Sequence, residues 1–116
     1  MSTDLRPIQA IKLWHDVNLS LVHDEGQNFS ARQWAILLTI YLEPPPHTVR
    51  GLAHKLNVTK PVITRALDTL GAADLVSRRR DKEDGRNVII QRTVKGALAV
   101  ERLADIIVSK SRTLSV

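Results

Sequence analysis

The sequence contains no cysteine, which excludes disulfide bonds, thiolate metal ligands and a cysteine nucleophile. Aromatic residues make up only 3%, so aliphatic side chains must supply most of the core. No uninterrupted apolar run approaches the ~20 residues that a membrane-spanning helix needs. The N-terminal residues lack the basic-then-apolar layout of a secretory signal. These absences predict a cytoplasmic protein without a membrane partner.

Motifs of common enzymes and metal sites are also missing. There is no Gly-x-Ser-x-Gly, no glycine-rich phosphate loop and no His-Glu-x-x-His, so the sequence predicts no enzyme and no cofactor. The four histidines lack the close spacing of metal ligands and are predicted to be surface or capping residues, with no metal bound: His15, His23, His47 and His54. Of these, His54 is open to a second interpretation, in which it faces the backbone of a nucleic acid.

Positive charge is concentrated in the middle of the 116-residue chain, whose net charge is +5. Residues 1–46 carry three lysines and arginines against five acidic residues, residues 47–95 carry eleven against five, and residues 96–116 carry three against two. A basic segment between less basic flanks suits a polyanionic partner, most commonly nucleic acid. A solvated basic face without any partner is the alternative interpretation.

Periodicity and capping signals predict two helices in the first third of the chain. Apolar residues recur at three- and four-residue spacing from Leu5 to about Val22, which predicts the first helix. A polar segment, 23–28, follows it. Ser30 and Gln33 form a capping box for a second helix, which the three prolines at 44–46 stop.

Two short helices joined by a tight turn are predicted next. Thr48 is placed to cap a helix from Val49 to Leu56, and Asn57 tolerates the left-handed backbone that often ends a helix. Thr59 is predicted to cap a fourth helix that carries Pro61 in its first turn and ends near Gly71. This spacing is typical of a helix-turn-helix.

A hairpin and a last helix complete the predicted order. Leu75–Arg80 and Asn87–Arg92 suit two strands, with the turn signal Asp84-Gly85 between them. Thr93 is predicted to cap a helix that runs to about Arg112. The fold class is therefore mainly α: a winged helix-turn-helix with a two-stranded β wing and flanking terminal helices. Residues 1–116 are predicted to form one winged-helix domain with a DNA-binding core at about 30–95.

From Thr48 to about Ala99 the sequence resembles the MarR family of bacterial transcription regulators. The resemblance includes Val49–Leu56, the opening of the fourth helix at Val58–Arg65, and a wing signature, Asp-x-Arg followed after five residues by Leu-Thr. Here that signature is Asp84-Gly85-Arg86 and then Arg92-Thr93, with Gly96 following. Arg92 replaces the usual leucine, so this strand end is either exposed or reaches a phosphate. Asp74 stands where the family usually has glycine.

The helix-turn-helix pattern predicts which residues contact double-stranded DNA. The second helix of this motif lies in the major groove with its N-terminal residues facing the bases. The candidates on or beside it are Thr48, Thr59, Lys60, Pro61, Thr64 and Arg65. Arg65 is predicted to fork onto guanine acceptors, whereas Lys60 suits a phosphate. A solvated helix face with ordinary threonine caps is the competing interpretation.

The wing supplies further candidates. Residues 77–80 alternate between the two sides of a strand, so only some arginines share a partner, and Arg78 and Arg80 are the two selected. Arg86 at the hairpin tip is the candidate for insertion into a narrow minor groove, and Asp84 is predicted to hold it extended. The resemblance supports both roles. The alternative is a charged loop whose acidic residues neutralise its basic ones.

The terminal helices, about 5–22 and 93–112, carry apolar residues on more than one narrow stripe, which predicts a symmetric homodimer. One small domain that consumes all of this surface is the alternative. The resemblance also implies a small aromatic or phenolic effector, for which Trp14, Trp34 and Tyr41 are candidates, although core packing is the favoured role of all three. The predicted function is a sequence-specific, dimeric DNA-binding regulator. A winged helix that binds an acidic protein partner is the alternative.

Overall fold

The computed structural model describes residues 4–24 and 28–114 of the chain. Its elements are α1 (Pro7–His23), α2 (Ala31–Leu42), β1 (His47–Thr48), α3 (Val49–Leu56), α4 (Lys60–Ala72), β2 (Val76–Arg80), β3 (Val88–Arg92) and α5 (Val94–Ser111). This is the predicted winged-helix order with one additional strand, β1. Residues 25–27 of the predicted polar segment lie outside the described residues. The described chain comprises two compact units, Phe29–Val100 and the two chain ends up to Asn28 and from Glu101.

Several helix starts follow from local capping, as the sequence predicts. The Ser30 hydroxyl accepts from the Gln33 N–H, and the Gln33 side-chain oxygen accepts from the Ser30 N–H. Thr48 caps α3 by accepting from the Gly51 N–H at 2.9 Å. Asn57 ends α3 in the left-handed region, with φ 55°. Helix α1 begins at Pro7 rather than at Leu5, because a residue that precedes proline, here Arg6, favours extended backbone.

The predicted side-chain cap at Thr59 is wrong. Thr59 occupies the N-cap position of α4, but its hydroxyl makes no capping hydrogen bond. The reason is the absence of a free donor in the first turn. Pro61 has no N–H, and the Val62 N–H already donates to the Thr59 carbonyl at 3.1 Å. The Thr59 hydroxyl therefore remains exposed at the start of α4.

The sheet has three antiparallel strands in the order β1-β3-β2. Arg78 pairs with Ile90 and Arg79 with Ile89 across the hairpin, while Thr48 pairs with Ile89 on the other side of β3. Because side chains alternate along a strand, Arg78 and Arg79 point to opposite faces of the sheet. The two-residue strand β1 thus joins the start of α3 to the middle of β3.

The core of the winged unit is aliphatic. Ile36, Leu37 and Ile40 of α2 are fully buried with three residues of α4, which are Ile63, Leu67 and Leu70. The Tyr41 hydroxyl donates to the Leu75 carbonyl at 2.7 Å and accepts from the Thr93 N–H at 3.0 Å. A side chain at position 96 would overlap both Tyr41 and the Leu75 carbonyl, so α5 can begin here only with the glycine present, Gly96.

Asp74 explains the family's preference for glycine at this position. Its φ is 61°, a left-handed conformation that costs an ordinary side chain free energy. The Asp74 carbonyl accepts a hydrogen bond from the Thr93 hydroxyl at 2.7 Å. The same hydroxyl accepts from the Gly96 N–H at 2.9 Å, so the predicted cap of α5 at Thr93 is confirmed.

The unit formed by the chain ends exposes much of its apolar surface. Val17 of α1 and Leu103 of α5 are buried, and Arg102 forms an ion pair with Asp24 at 2.9 Å. By contrast, Ile8, Ile11 and Trp14 are 71%, 66% and 64% exposed. Within residues 4–24 and 28–114, the helices are too short or too polar to cross a bilayer.

Candidate nucleic-acid interface

Helix α4 presents a polar face opposite its buried stripe. Ile63, Ala66, Leu67 and Leu70 are buried. The predicted contact residues of this helix and its cap are all exposed: Thr59, Lys60, Pro61, Thr64 and Arg65. Helical phasing, which puts residues three and four apart on one side, gathers Pro61, Thr64, Arg65 and Asp68 on this face. The face has the shape and polarity that a major groove admits.

Arg78 joins the wing to α4 through Asp68, which was not among the residues predicted from the sequence. Its guanidinium donates to the Asp68 carboxylate at 2.8 Å, and the Asp68 side chain is 61% exposed. Asp68 therefore places one negative group on the face of α4 and neutralises a predicted DNA contact. The helical phase of Asp68 was readable from the sequence. Its partner was not, because Arg78 lies ten residues away on another element.

Arg80 braces the hairpin from within. Its guanidinium donates to the Gly85 carbonyl at 2.7 Å, which links the end of β2 to the loop tip. Arg80 lies two residues after Arg78 on the strand, so both point to the same face, whereas Arg79 points to the other. Arg78 and Arg80, the two arginines selected from the sequence, therefore share a face of the sheet, and their contact with DNA stays a prediction.

The wing tip holds Arg86 as the sequence predicts. Asp84 accepts from the Arg86 Nε at 3.1 Å and from a terminal guanidinium nitrogen at 3.3 Å, and it also accepts from the Arg86 backbone N–H at 3.1 Å. The Arg86 side chain is 86% exposed. The Arg86 guanidinium, followed by its backbone N–H, holds the pKa of Asp84 below its ordinary value, and the positive charge of Arg50 contributes. The guanidinium is thus oriented but remains accessible.

The Arg92 side chain is exposed, which is one of the two outcomes predicted for it, and its guanidinium also binds within the fold. Its Nε donates to the Ile40 carbonyl at 2.8 Å, and a terminal nitrogen donates to the Glu43 carbonyl at 3.0 Å. The guanidinium also lies 5.8 Å from the centre of the Tyr41 ring. A cation here satisfies carbonyls that the C-terminus of α2 leaves free. Arg92 therefore replaces the family leucine with an electrostatic contact inside the fold.

The remaining aromatic and histidine candidates divide into packed and exposed groups. Trp34 and Tyr41 both pack against the core of the winged unit, as predicted. The Trp34 ring meets the Phe29 ring edge to face, with 5.4 Å between the ring centroids. Core packing is wrong for Trp14, whose side chain is largely exposed on α1. His47 is buried and pairs with the Glu43 carbonyl, while His54 is exposed. Across residues 4–24 and 28–114, acids and histidines form no cluster of three suited to a metal.

Comparison with known proteins agrees with this geometry. The MarR family profile matches residues 29–88, which is about half of the chain and includes α2, α3, α4 and most of the wing. The chain belongs to the MarR family. The matched range carries the helix-turn-helix and the Asp84–Arg86 tip, so the resemblance noted from the sequence is confirmed.

Individual relatives are transcriptional regulators. The chain is 34% identical over 79 residues to the HTH-type transcriptional repressor YetL of Bacillus subtilis, a match that covers 66% of this chain and 47% of YetL. It spans about half the length of the curated relatives it matches. Among solved structures, it is similar to the transcriptional regulator BldR from Sulfolobus solfataricus, with 31% identity, a TM-score of 0.64, and 88% and 72% of the two chains covered.

A second solved structure supports the fold. It is a variant of S. aureus MepR bound to an oligodeoxyribonucleotide. The TM-score is 0.79 with 21% identity, and the match covers 91% of this chain and 75% of MepR. At this identity the similarity establishes the arrangement of helices and strands. The winged helix-turn-helix predicted from the sequence is therefore confirmed.

Proposed function

We propose that this MarR-family chain is a transcriptional regulator that binds specific double-stranded DNA. The observation that carries the proposal is the combination of an exposed polar face on α4 with an oriented, accessible Arg86 at the wing tip. YetL is named a transcriptional repressor, and the MepR variant is bound to an oligodeoxyribonucleotide. Both facts favour the same activity for the present chain.

In this proposal α4 enters the major groove and the wing enters the minor groove. The hydroxyls of Thr59 and Thr64 reach bases or phosphates from the start of α4, and Lys60 neutralises a phosphate. Thr48 accepts its capping bond and keeps one donor for the DNA backbone. Arg78 and Arg80 contact the DNA from β2 of the wing, and Arg86 enters a narrow minor groove where negative potential is concentrated.

The proposed active form is a homodimer. Ile8, Ile11 and Trp14 leave an exposed apolar surface on α1, which a second copy can cover. Two copies related by a twofold axis present two α4 helices to half-sites about one duplex turn apart. The operator is therefore expected to be a pseudo-palindrome.

The proposal includes a cytoplasmic protein that catalyses no reaction and needs no cofactor for DNA binding. A small-molecule effector is compatible with it. Selection of bound genomic fragments by the purified protein would reveal the operator and the genes beside it. Half-site spacing is read from the same fragments.

Fluorescence anisotropy with a selected duplex across a salt series tests the proposal. DNA binding is expected to weaken steeply with salt, because each phosphate contact releases counterions. Arg86→Ala is expected to lose more affinity on A/T-rich flanks than on G/C-rich flanks, whereas Lys82→Ala removes an exposed charge from the same loop as the control. Negligible DNA binding by the wild type would favour an acidic protein partner instead. Equal losses on both flanks would contradict minor-groove insertion.

A further inference from the structure

A concavity of about 200 Å³ lies between the start of α2 and the middle of α4. Its polar lining groups are Ser30, Arg32, Gln33, Arg65 and Thr69. Arg32 was not among the residues selected from the sequence. It reaches this place only because α2 packs against α4, more than thirty residues further along the chain. The concavity borders the exposed face of α4.

The two arginines in this concavity have no partner within the described residues. Arg32 and Arg65 make neither an ion pair nor a side-chain hydrogen bond there, and no acidic residue lines the concavity. Arg78, Arg86 and Arg92 differ, since each guanidinium is held by a carboxylate or by carbonyls. Two unneutralised guanidinium groups beside one recess repel each other and attract a shared anion.

The backbone N–H groups of Ser30 and Gln33 at the N-terminus of α2 are not available to a ligand. The Ser30 hydroxyl and the Gln33 N–H bond each other, and the Ser30 N–H is taken by the Gln33 side-chain oxygen. The Thr69 hydroxyl points to the Arg65 carbonyl. The groups left for a ligand are therefore the two guanidinium forks, the NH₂ of Gln33 and the O–H of Ser30. All of these groups are hydrogen-bond donors, which matches an oxyanion.

We propose that Arg32 and Arg65 together hold one phosphate group in this recess. The proposal rests on the proposed function, because the phosphate expected there is one of the DNA backbone beside the major groove. Inorganic phosphate shares the same chemistry and is the other source. On α4, Arg65 lies toward Thr69, on the flank that faces α2, whereas Asp68 lies toward the wing. The site thus assigns Arg65 to the backbone rather than to a guanine.

The first test compares single-charge variants in DNA binding. Arg32→Ala is expected to weaken binding on the order of tenfold on every duplex, because one charge-assisted contact is lost. The slope of log K against log salt should fall by about 0.9 for each phosphate no longer neutralised. Arg79→Ala is the matched control. It removes an equal charge from the face of the sheet opposite to Arg78 and Arg80. It should change affinity less than twofold.

The second comparison asks whether the two arginines share one ligand. Arg65→Ala should reduce affinity uniformly across sequences, and the double variant should lose less than the two single losses combined. Arg32→Lys should keep part of the salt slope, because a lysine retains the charge without the fork. A relaxed preference at one base pair in Arg65→Ala would overturn the assignment. Additive losses would overturn the shared site.

The source of the phosphate is resolved by titrating inorganic phosphate into the free protein at constant ionic strength. Shifts of the Arg32 and Arg65 Nε–Hε signals in the NMR spectrum, with loss of the Arg65 shift in Arg32→Ala, would support a site that also takes the free anion. If no shift appears but Arg32→Ala and Arg65→Ala weaken DNA binding as expected, the phosphate in the site is one of the DNA backbone. If Arg32→Ala matches Arg79→Ala and no shift appears, the site is refuted.

Failure of the site and failure of the proposed function remain distinguishable. A wild type that binds duplex DNA, an unaffected Arg32→Ala variant and no shift with inorganic phosphate would together refute the phosphate site alone. A wild type that binds no duplex would refute the proposed function, and the phosphate titration would then decide the site. Circular dichroism on every variant confirms that the helices are retained, so loss of binding is not loss of the fold.

Discussion

The winged unit, Phe29–Val100, and the unit formed by the chain ends treat their apolar side chains differently. In the winged unit Ile36, Ile63 and Leu67 are fully inaccessible to water. In the end unit, Ile8 and Ile11 are more than 60% exposed although they lie on a regular helix. Burial of apolar surface is the dominant stabilising contribution to folding. The winged unit therefore has a core of its own, whereas much apolar surface of α1 is free for a partner.

The largest effect is expected from Ile11→Asp, which tests whether the exposed apolar surface of α1 binds a second copy. A charge in the proposed dimer interface should leave a monomer, because an unpaired carboxylate resists burial. The loss of two-site binding should weaken operator affinity by about 10²–10⁴-fold. Analytical ultracentrifugation and anisotropy measure the two effects. Leu42→Asp, which places the same charge at an exposed apolar position of the winged unit, is the control. A dimer that survives Ile11→Asp would refute this interface.

Leu67→Ala tests the buried core of the winged unit. Leu67 is completely buried in α4, and its truncation should lower the free energy of unfolding by about 2–5 kcal/mol. Leu42→Ala is the matched control, because Leu42 of the same unit is 73% exposed and should change stability by less than about 0.5 kcal/mol. Urea denaturation measures both. Equal losses would contradict the placement of the core.

Arg92→Leu restores the residue that the family usually has at this position. The variant loses two hydrogen bonds to the end of α2, at the Ile40 and Glu43 carbonyls, so stability should fall by about 1–2 kcal/mol. Arg79→Leu makes the same exchange on the opposite face of the sheet and should cost less. The salt slope of DNA binding should be equal in the two variants. A smaller salt slope in Arg92→Leu alone would show that Arg92 contacts a DNA phosphate.

The sequence was most informative where a structure depends on neighbouring residues. The caps at Ser30, Thr48 and Thr93 and the left-handed Asn57 are set within three or four residues and were predicted correctly. The Thr59 cap failed because the backbone had already used the donor it needed. Strand β1 was missed because two residues carry no periodicity, and its partner strand lies about forty residues away.

Within the candidate site too, contacts between neighbouring residues were predictable from the sequence and distant contacts were not. Asp84 and Arg86 are two residues apart, so the wing-tip pair was predictable from the hairpin. The partners of Arg78 and Arg92 lie ten to 52 residues away, and the recess between Arg32 and Arg65 exists only after two helices pack. Such tertiary contacts depend on helix phase and position together. An unpaired arginine on α2 gives no sequence signal that another cation lies beside it.

The smallest expected effect concerns Asp84 at the wing tip. Its folded pKa is lowered chiefly by the Arg86 guanidinium, so the pair stabilises the wing above the unfolded pKa of about 3.9. That contribution is lost as the pH falls through the lower folded pKa. Arg86→Ala should raise the pKa of Asp84 only part of the way to its ordinary value, because the backbone N–H at position 86 still donates.

Carboxyl-detected NMR across an acid titration measures the pKa of Asp84 directly. Arg79→Ala, which removes an arginine that does not contact Asp84, should leave that pKa unchanged. An unchanged pKa in Arg86→Ala would mean that the guanidinium is not held by the carboxylate in solution. A full return to the ordinary value would instead show that the backbone contact depends on the side-chain pair. In that case Asp84 and Arg86 order the turn jointly, and the wing tip is stabilised by the pair rather than by the turn alone.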